Sequence, residues 1–460
     1  MSKSSKILIL VASLLMLGSL YMDVSAAQRR KKQQLKPIVQ KVVECADTVL
    51  VPVGKFVLMD KKAQKQEVIP GIEVLESIGF DGLVGKRVGL VTNPTGVDRK
   101  LRSTIDILYN APGVDLVALY GPEHGVRGDM YAGDKVDDFR DNATGLPVYS
   151  IYGATRKPTQ KMLEGIDVMV YDIQDTGIRS YTFISSLGLV MEACAEAGIE
   201  VMVLDRPNPL GGIKMEGSFV EDGFHSFVSQ YKIPYIYGLT VGELAKLINE
   251  EGLNCGQLGN QKPSKCKLSV IPMKGWKREM LYDDTSLPWV LPSPNIPHSS
   301  SATCCASAGI CGELYGFLNI GIGYTMPFEV FGATWIDADK LKAELDSYNL
   351  PGVEFRVIHY KPFAGSAKGQ MVHGVQYFYT DYLSADITLT QFYVMQALAR
   401  LYPSKKAFQI ATRVGLFDKV CGTDYIRNTF SKCYQVSDIE SFWKKDISNF
   451  RAMAQNYYIY

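Results

Sequence analysis

Ile166-Asp167-Val168-Met169-Val170-Tyr171, followed by Asp172-Ile173-Gln174-Asp175-Thr176-Gly177, is the stretch whose reading decides the fold. The first part is a short, nearly all-apolar run, and the second is a polar turn closed by glycine. A strand this apolar has no wet face, so it belongs in a parallel sheet covered on both sides. The same grammar recurs on either side of it. Arg87-Val88-Gly89-Leu90-Val91 ends in Thr92-Asn93-Pro94-Thr95-Gly96, and Val114 to Tyr120 ends in Gly121-Pro122-Glu123-His124-Gly125. Pro147 to Tyr152 is another such run, and Glu200 to Leu204 ends in Asp205-Arg206-Pro207-Asn208-Pro209. Tyr181 to Ala197 carries a helical pattern closed by Gly198. Strands alternating with helices predict an α/β fold, a Rossmann-like doubly wound parallel sheet.

The proline-dense segment 287–297 marks a change of regime. Beyond it, strand-like pieces (Glu354 to His359, Val372 to Thr380) precede helical ones (Leu389 to Leu401, Ser437 to Tyr460). We expect an α/β domain over 67–280 and a C-terminal α+β domain over 281–460. Residues 28–66 read as a leader or linker, basic at first (Arg29, Arg30, Lys31, Lys32). Residues 1–27 read as a signal peptide. Lys3 and Lys6 precede the apolar run Ile7 to Leu20, and Val24-Ser25-Ala26 supplies small residues for cleavage after Ala26 or Ala27. The run is shorter than the roughly 20 residues that span a bilayer. An exported protein, periplasmic or secreted and not inserted in a membrane after cleavage, is therefore expected; an uncleaved anchor is the alternative.

Composition narrows the partners. Lys plus Arg number 49 against 48 Asp plus Glu, which leaves no electrostatic footprint for nucleic acid. Apolar residues make up 47%, enough for a sizeable core. Nine cysteines leave at least one thiol unpaired. Cys255 with Cys266 and Cys421 with Cys433 are plausible loop-closing disulfides, and Cys194 reads as a buried free thiol. Cys304, Cys305 and Cys311 lack the histidine or CxxC companion of a zinc site, and only five histidines are present, so no metal is expected.

The polar residues gather behind the strands. In an open parallel sheet the carboxyl ends of the strands share one edge, and ligands bind in the crevice there. Asn93, Glu123, His124, Arg127, Asp129, Asp172, Asp175, Arg179, Asp205, Arg206 and Asn208 should therefore converge. Several have two readings. Asn93-Pro94 and Asn208-Pro209 are either site groups or turn chemistry alone. Asp205 binds substrate, caps a loop or pairs with Arg206. His124 is a partner of Glu123 or a structural donor. Of Arg127 and Arg179, one is expected to pair with Asp129 or Asp175 and the other to clamp a substrate carboxylate through its planar fork. Glu123, between proline and His-Gly, is the best candidate acid, because neighbours in so tight a loop can desolvate it. There is no Gly-x-Ser-x-Gly elbow, no Walker loop, no His-Glu-x-x-His helix and no GxGxxG after the first strand, so no cofactor is expected. Carboxylates without such companions suit acid-catalysed cleavage of a glycosidic bond, with Glu123 as acid and Asp172 or Asp175 assisting.

At these residues the chain resembles the NamZ-type exo-β-N-acetylmuramidases, glycoside hydrolase family 171. The likeness runs from about Gly71 to the C-terminus. It is carried by segments 91–96 and 121–129, by Asp172-Ile173-Gln174-Asp175 with Arg179, Tyr181 and Thr182, and by segments 204–212, 240–244 and 292–295. The resemblance implies a Rossmann-like catalytic domain with an auxiliary domain. It also implies release of terminal β-1,4-linked N-acetylmuramic acid from peptidoglycan-derived saccharides or muropeptides, and a catalytic glutamate at Glu123. The lactyl carboxylate of muramic acid would give arginines near the site a purpose, and Tyr181 joins the expected substrate-binding set. Two positions depart from the family pattern. Tyr237 stands where a histidine is usual, and Ile322 where an arginine is usual. They leave two other readings open: a glycosidase for a different amino sugar, and a non-catalytic binder of wall fragments.

Overall fold

The computed structural model describes residues 67–128, 139–252 and 265–460. The signal-peptide and leader readings, Cys45, Asp129 and Cys255 lie outside the described residues.

The larger sheet contains β1 (Arg87–Thr92), β2 (Asp115–Gly121), β3 (Phe139–Arg140), β4 (Pro147–Ser150), β5 (Val168–Asp172), β6 (Glu200–Leu204) and β7 (Leu268–Ile271). Its order is β3-β4-β2-β1-β5-β6-β7. All neighbours are parallel except the β3–β4 pair, so the expected parallel sheet carries one short antiparallel edge. Counting only the parallel strands, the order is that of the dinucleotide-binding folds, and the chain reverses its winding between β1 and β5. Residues of β5 are buried throughout, as are those of β1 after Arg87, which is why their sequences are apolar on both faces.

Helices cover both sides: α1 (Gly71–Ser77), α2 (Thr104–Tyr109), α3 (Gln160–Leu163), α4 (Phe183–Ala197) and α5 (Val241–Glu251). Helix α4 ends at Gly198 in the left-handed conformation, as its sequence predicts. Helix α5 opens on a capping box in which Thr240 and Glu243 satisfy each other's backbone N–H groups.

The second sheet is antiparallel, with β10 (Val372–Tyr379) between β8 (Val330–Ala333) and β9 (Val353–Tyr360). Around it lie α6 (Ser299–Gly312), α7 (Ala338–Asp346) and α8 (Thr390–Leu401), followed by short helices α9 (Ala407–Ile410), α10 (Val414–Cys421), α11 (Tyr425–Cys433), α12 (Ser437–Lys444) and α13 (Ile447–Ala454). The stretch from Ser437 to Tyr460 is thus not one helix. It breaks near Asp446, whose carboxylate accepts the backbone N–H of Phe219, and it ends in an extended tail.

The two sheets share their packing. Ile178, Leu210, Tyr235 and Ile236, from loops of the larger sheet, belong to the same buried cluster as Phe331, Phe392 and Trp443. Phe450 and Ala454 of α13 are buried with α4 and α5. The last residue returns to the first sheet: the Tyr460 hydroxyl donates to Asp205 Oδ2 (2.8 Å) and accepts from Met273 N (2.7 Å).

No disulfide joins Cys421 to Cys433. Each ends a different helix, Cys421 inside and Cys433 facing solvent, and both are free. Cys266 is also free, and Cys194 is the buried free thiol expected. Among the described residues no helix is long and apolar enough to cross a membrane.

Candidate active site

In doubly wound sheets the ligand crevice lies where the winding reverses; here that point is behind β1 and β5, with the loop after β2 beside it. That loop carries Glu123. His124 (φ 76°) and Gly125 (φ 72°) are both left-handed, and Gly125 N–H closes the turn onto Pro122 O at 3.0 Å. A non-glycine residue in this region is held at a cost of about 1–3 kcal/mol, and such strain clusters where a side chain must be aimed. The turn presents the Glu123 carboxyl to two hydroxyls. Tyr152, just past β4, donates to Oε1 at 2.8 Å, and Thr182 donates to Oε2 at 3.0 Å. Thr182 is the N-cap residue of α4, yet its side chain makes no capping bond; the hydroxyl is spent on the carboxyl instead. Burial and then the neighbouring Glu123 push the Tyr152 phenol up to about 12, so it remains a donor at any physiological pH.

The second carboxyl at the edge is Asp175. Burial pushes it up to about 6, opposed by hydrogen bonds from Tyr237 and from the N–H groups of Gly177 and Thr176. Oδ2 takes the Tyr237 hydroxyl and Gly177 N–H (2.8 Å), while Oδ1 is buried with no hydrogen-bond partner among the described residues. Gly177 is required here: its φ is 81°, and a Cβ would lie 2.2 Å from Asn208 Oδ1. Tyr237, at the position where the family usually has histidine, is thus the partner of Asp175. Tyr181 lies within electrostatic reach of both Glu123 and Asp175 and hydrogen-bonds Ser293. Ser293 thereby brings the Pro292–Asn295 loop to this side of the site. Ile322 packs at the edge of the second core cluster.

Other buried polar atoms at the same edge have no partner among the described residues: Asn93 Nδ2, His124 Nδ1, Gln174 Oε1 and Thr176 Oγ1. Buried polar groups are nearly always satisfied in a folded chain, so a set of unsatisfied ones marks where a polar ligand fits. Asn93 also shapes its own turn, its Oδ1 accepting from Thr95 N (3.0 Å) and Thr95 Oγ1 (2.5 Å).

The remaining candidates are placed otherwise. Asp172 is buried beneath the crevice, with Oδ1 2.5 Å from Arg206 Nε and Oδ2 2.9 Å from Arg206 Nη2, and Thr104 also donates to Oδ2. Both oxygens are occupied, and Arg206 is consumed with them. Arg127 pairs with Asp141 (2.6 Å) and Asp106 (3.1 Å), not with Asp175. Arg179 is fully buried. Its guanidinium donates to the carbonyls of Ser218 and Ile233 and, at the C-terminal end of α10, to those of Val420 and Cys421. Carbonyls at a helix C-terminus carry partial negative charge, which suits a cation without a carboxylate. Burial nevertheless lowers the Arg179 pKa to about 10. Neither Arg127 nor Arg179 is free to clamp a substrate.

Asp205 takes four hydrogen bonds, from Arg206 N, Gly242 N, Thr240 Oγ1 and Tyr460 Oη, and so anchors the start of α5. Asn208 serves its turn, bonding Leu239 O and Leu210 N. Tyr152 and Thr182 escaped the sequence reading as site residues. Tyr152 closes the apolar run from Pro147, at a strand end like the other candidates, but carries no charge to mark it.

Two raised carboxyls give a pH signature. Asp175 and Asp205 are each held at about 6 by burial, against an ordinary 3.8. Each keeps its proton in the folded chain after the unfolded chain has released it. Their contribution is full below 3.8 and is lost as pH rises through about 6. Asp175→Asn should flatten the fall of Tm across that window, leaving the share owed to Asp205. Thermal unfolding at stepped pH checks this; an unchanged slope would contradict the buried state of Asp175.

Comparison with known proteins fits this geometry. Residues 88–300 match the model of the N-terminal domain of the exo-β-N-acetylmuramidase NamZ, and residues 308–460 match that of its C-terminal domain. The peptidoglycan β-N-acetylmuramidase NamZ of Bacillus subtilis is 42% identical over 401 residues, covering 87% of this chain and 93% of its own. A DUF1343 family protein from Bacteroides fragilis, solved as a crystal structure, superposes with a TM-score of 0.81 at 52% identity. A second from the same organism gives 0.67 at 27%. Each match spans 86% of this chain and 99% of the other. A doubly wound sheet with a hydroxyl-held carboxyl in its crevice, in such company, is a glycoside hydrolase of α/β architecture. Within that class, the chain belongs to the NamZ family of exo-β-N-acetylmuramidases.

Proposed function

We propose that the protein removes terminal β-1,4-linked N-acetylmuramic acid from the non-reducing ends of peptidoglycan fragments, with Glu123 as the general acid. The observation that carries this is the clamp of Tyr152 and Thr182 on the two oxygens of Glu123. Hydroxyls donate and accept, so the same contacts serve the carboxyl before and after it gives its proton to the leaving oxygen. Asp175, with one oxygen unpartnered among the described residues, is the group assigned to meet the positive charge that builds on the sugar in the oxocarbenium-like transition state. Tyr237 orients it. Asp172 and Arg206 form the floor that keeps β5 and its loop in place.

Product analysis tests the direction of attack. Glycan fragments ending in N-acetylmuramic acid should lose that single sugar, leaving an N-acetylglucosamine-ended product that resists further cleavage. Internal cuts yielding larger saccharides would sink the exo reading. Because Tyr237 occupies a position tied to Asp175, a pocket for a different amino sugar is the second reading, and it predicts turnover of fragments ending in that sugar instead.

We also place the reaction outside the cytoplasm, on the strength of Lys3, Lys6, the apolar run to Leu20 and the small residues at 24–26. N-terminal sequencing of the protein recovered from its native compartment should begin at Ala27 or Gln28. A chain still beginning at Met1 would contradict it.

A further inference from the structure

The arginines first expected to read a substrate carboxylate are spent elsewhere, and a different one is linked to the acid through two aromatic rings. Arg156 lies in the loop after β4, on the same edge of the sheet as the other site residues. Its guanidinium carbon sits 4.4 Å from the centroid of the Phe227 ring. Phe227 also packs against Tyr152, with centroids 6.3 Å apart, and the Tyr152 hydroxyl donates to Glu123. Arg156, Phe227, Tyr152 and Glu123 therefore form one continuous set of contacts, and the charge of Arg156 is felt at the Tyr152 hydroxyl.

What sets Arg156 apart from Arg127 and Arg179 is that, among the described residues, neither a carboxylate nor a backbone carbonyl holds its guanidinium, and its Nε is buried with no hydrogen-bond partner. Its neighbour Lys157, by contrast, is held by Glu192 (2.8 Å) and Glu196 (2.7 Å). A half-buried guanidinium held over an aromatic face, with its fork unspent, is arranged to take a planar anion through two parallel hydrogen bonds.

We propose that Arg156 binds the 3-O-lactyl carboxylate of the terminal muramic acid and thereby distinguishes muramic acid from N-acetylglucosamine. The inference rests on the exo-muramidase reading of the site. The lactyl ether is carried on C3, away from the scissile bond at C1. Its carboxylate thus needs a cation set back from the acid by about the width of an aromatic ring, and the Phe227–Tyr152 contact supplies that offset. Arg156 touches the substrate but not the reacting bond, so its role is specificity.

The test separates this claim from the activity it rests on. Calorimetry would measure binding of free N-acetylmuramic acid, of its lactyl carboxamide and of N-acetylglucosamine to the wild type, Arg156→Met and Arg156→Lys. The wild type should prefer the carboxylate to the carboxamide by about 10–100-fold, as expected for charge-assisted bonds. Arg156→Met should erase that preference while binding N-acetylglucosamine as the wild type does, and Arg156→Lys should restore part of it. With a chromogenic β-N-acetylmuramide, the loss should appear in KM more than in kcat. A preference that survives in Arg156→Met, or is absent from the wild type, would overturn the assignment. Carboxylate-selective binding by a wild type that cleaves no muramide would uphold the role of Arg156 and refute the proposed activity.

Discussion

Glu123→Gln should slow release of N-acetylmuramic acid from glycan fragments by about 10²–10⁴-fold, the usual worth of a positioned general acid. Little else should change. Glutamine fills the same volume, and Tyr152 and Thr182 can each turn a hydroxyl to suit an amide as readily as a carboxyl. The fold should therefore persist, with Tm near that of the wild type. The leaving group supplies a second criterion. An aryl muramide whose phenol departs without a proton asks less of the acid, so the loss should shrink on that substrate. A role confined to binding would give equal losses on both substrates, expressed in KM. Equal losses in kcat would assign Glu123 to charge stabilisation and take the acid role elsewhere.

Breaking the Asp172–Arg206 pair should be the most damaging change to stability. Asp172 and Arg206 are buried, and the guanidinium bridges both carboxylate oxygens at 2.5 and 2.9 Å. Arg206→Met leaves a carboxylate under the sheet edge with only Thr104 for company, at a cost of about 3–5 kcal/mol. Asp172→Asn strands the guanidinium instead and should cost a similar amount. Removing both charges with apolar residues of similar size should recover much of the loss, since neither ion is then left unpaired. Thermal or urea unfolding of the two single variants and the double variant checks this. A double variant no better than the singles would mean that the pair is not the unit described. The same experiment bears on chemistry: if Asp172 were a catalytic carboxylate, Asp172→Asn would abolish turnover even in the fraction that remains folded.

The sheet was legible because its strands are buried on both faces. Runs such as Val168–Asp172 and Glu200–Leu204 are too apolar for any half-wet strand, and each stops at a polar turn. Short elements were not legible. Strand β7 (Leu268–Ile271) is half-buried along its length and offers four residues of weak pattern. Helix α6 is made of small residues and cysteines buried on almost every side, so no amphipathic stripe reveals it.

At the site, the turn that aims Glu123 could be read from Pro-Glu-His-Gly, because the constraint is local. The fates of the charged residues could not. Arg179 is decided by Val420 and Cys421, more than two hundred residues away, and Arg127 by Asp141. Whether a cation is spent or free depends on which remote groups the fold brings to it. Proximity to a strand end could not separate Arg127 from Arg156.

The account turns on one comparison: the wild-type protein, a chromogenic β-N-acetylmuramide and the matching β-N-acetylglucosaminide, assayed side by side. The muramide should be cleaved with little or no release from the glucosaminide, and at a much reduced rate by Glu123→Gln. Release from the glucosaminide alone, or from neither by a folded protein that still binds wall fragments, would contradict it.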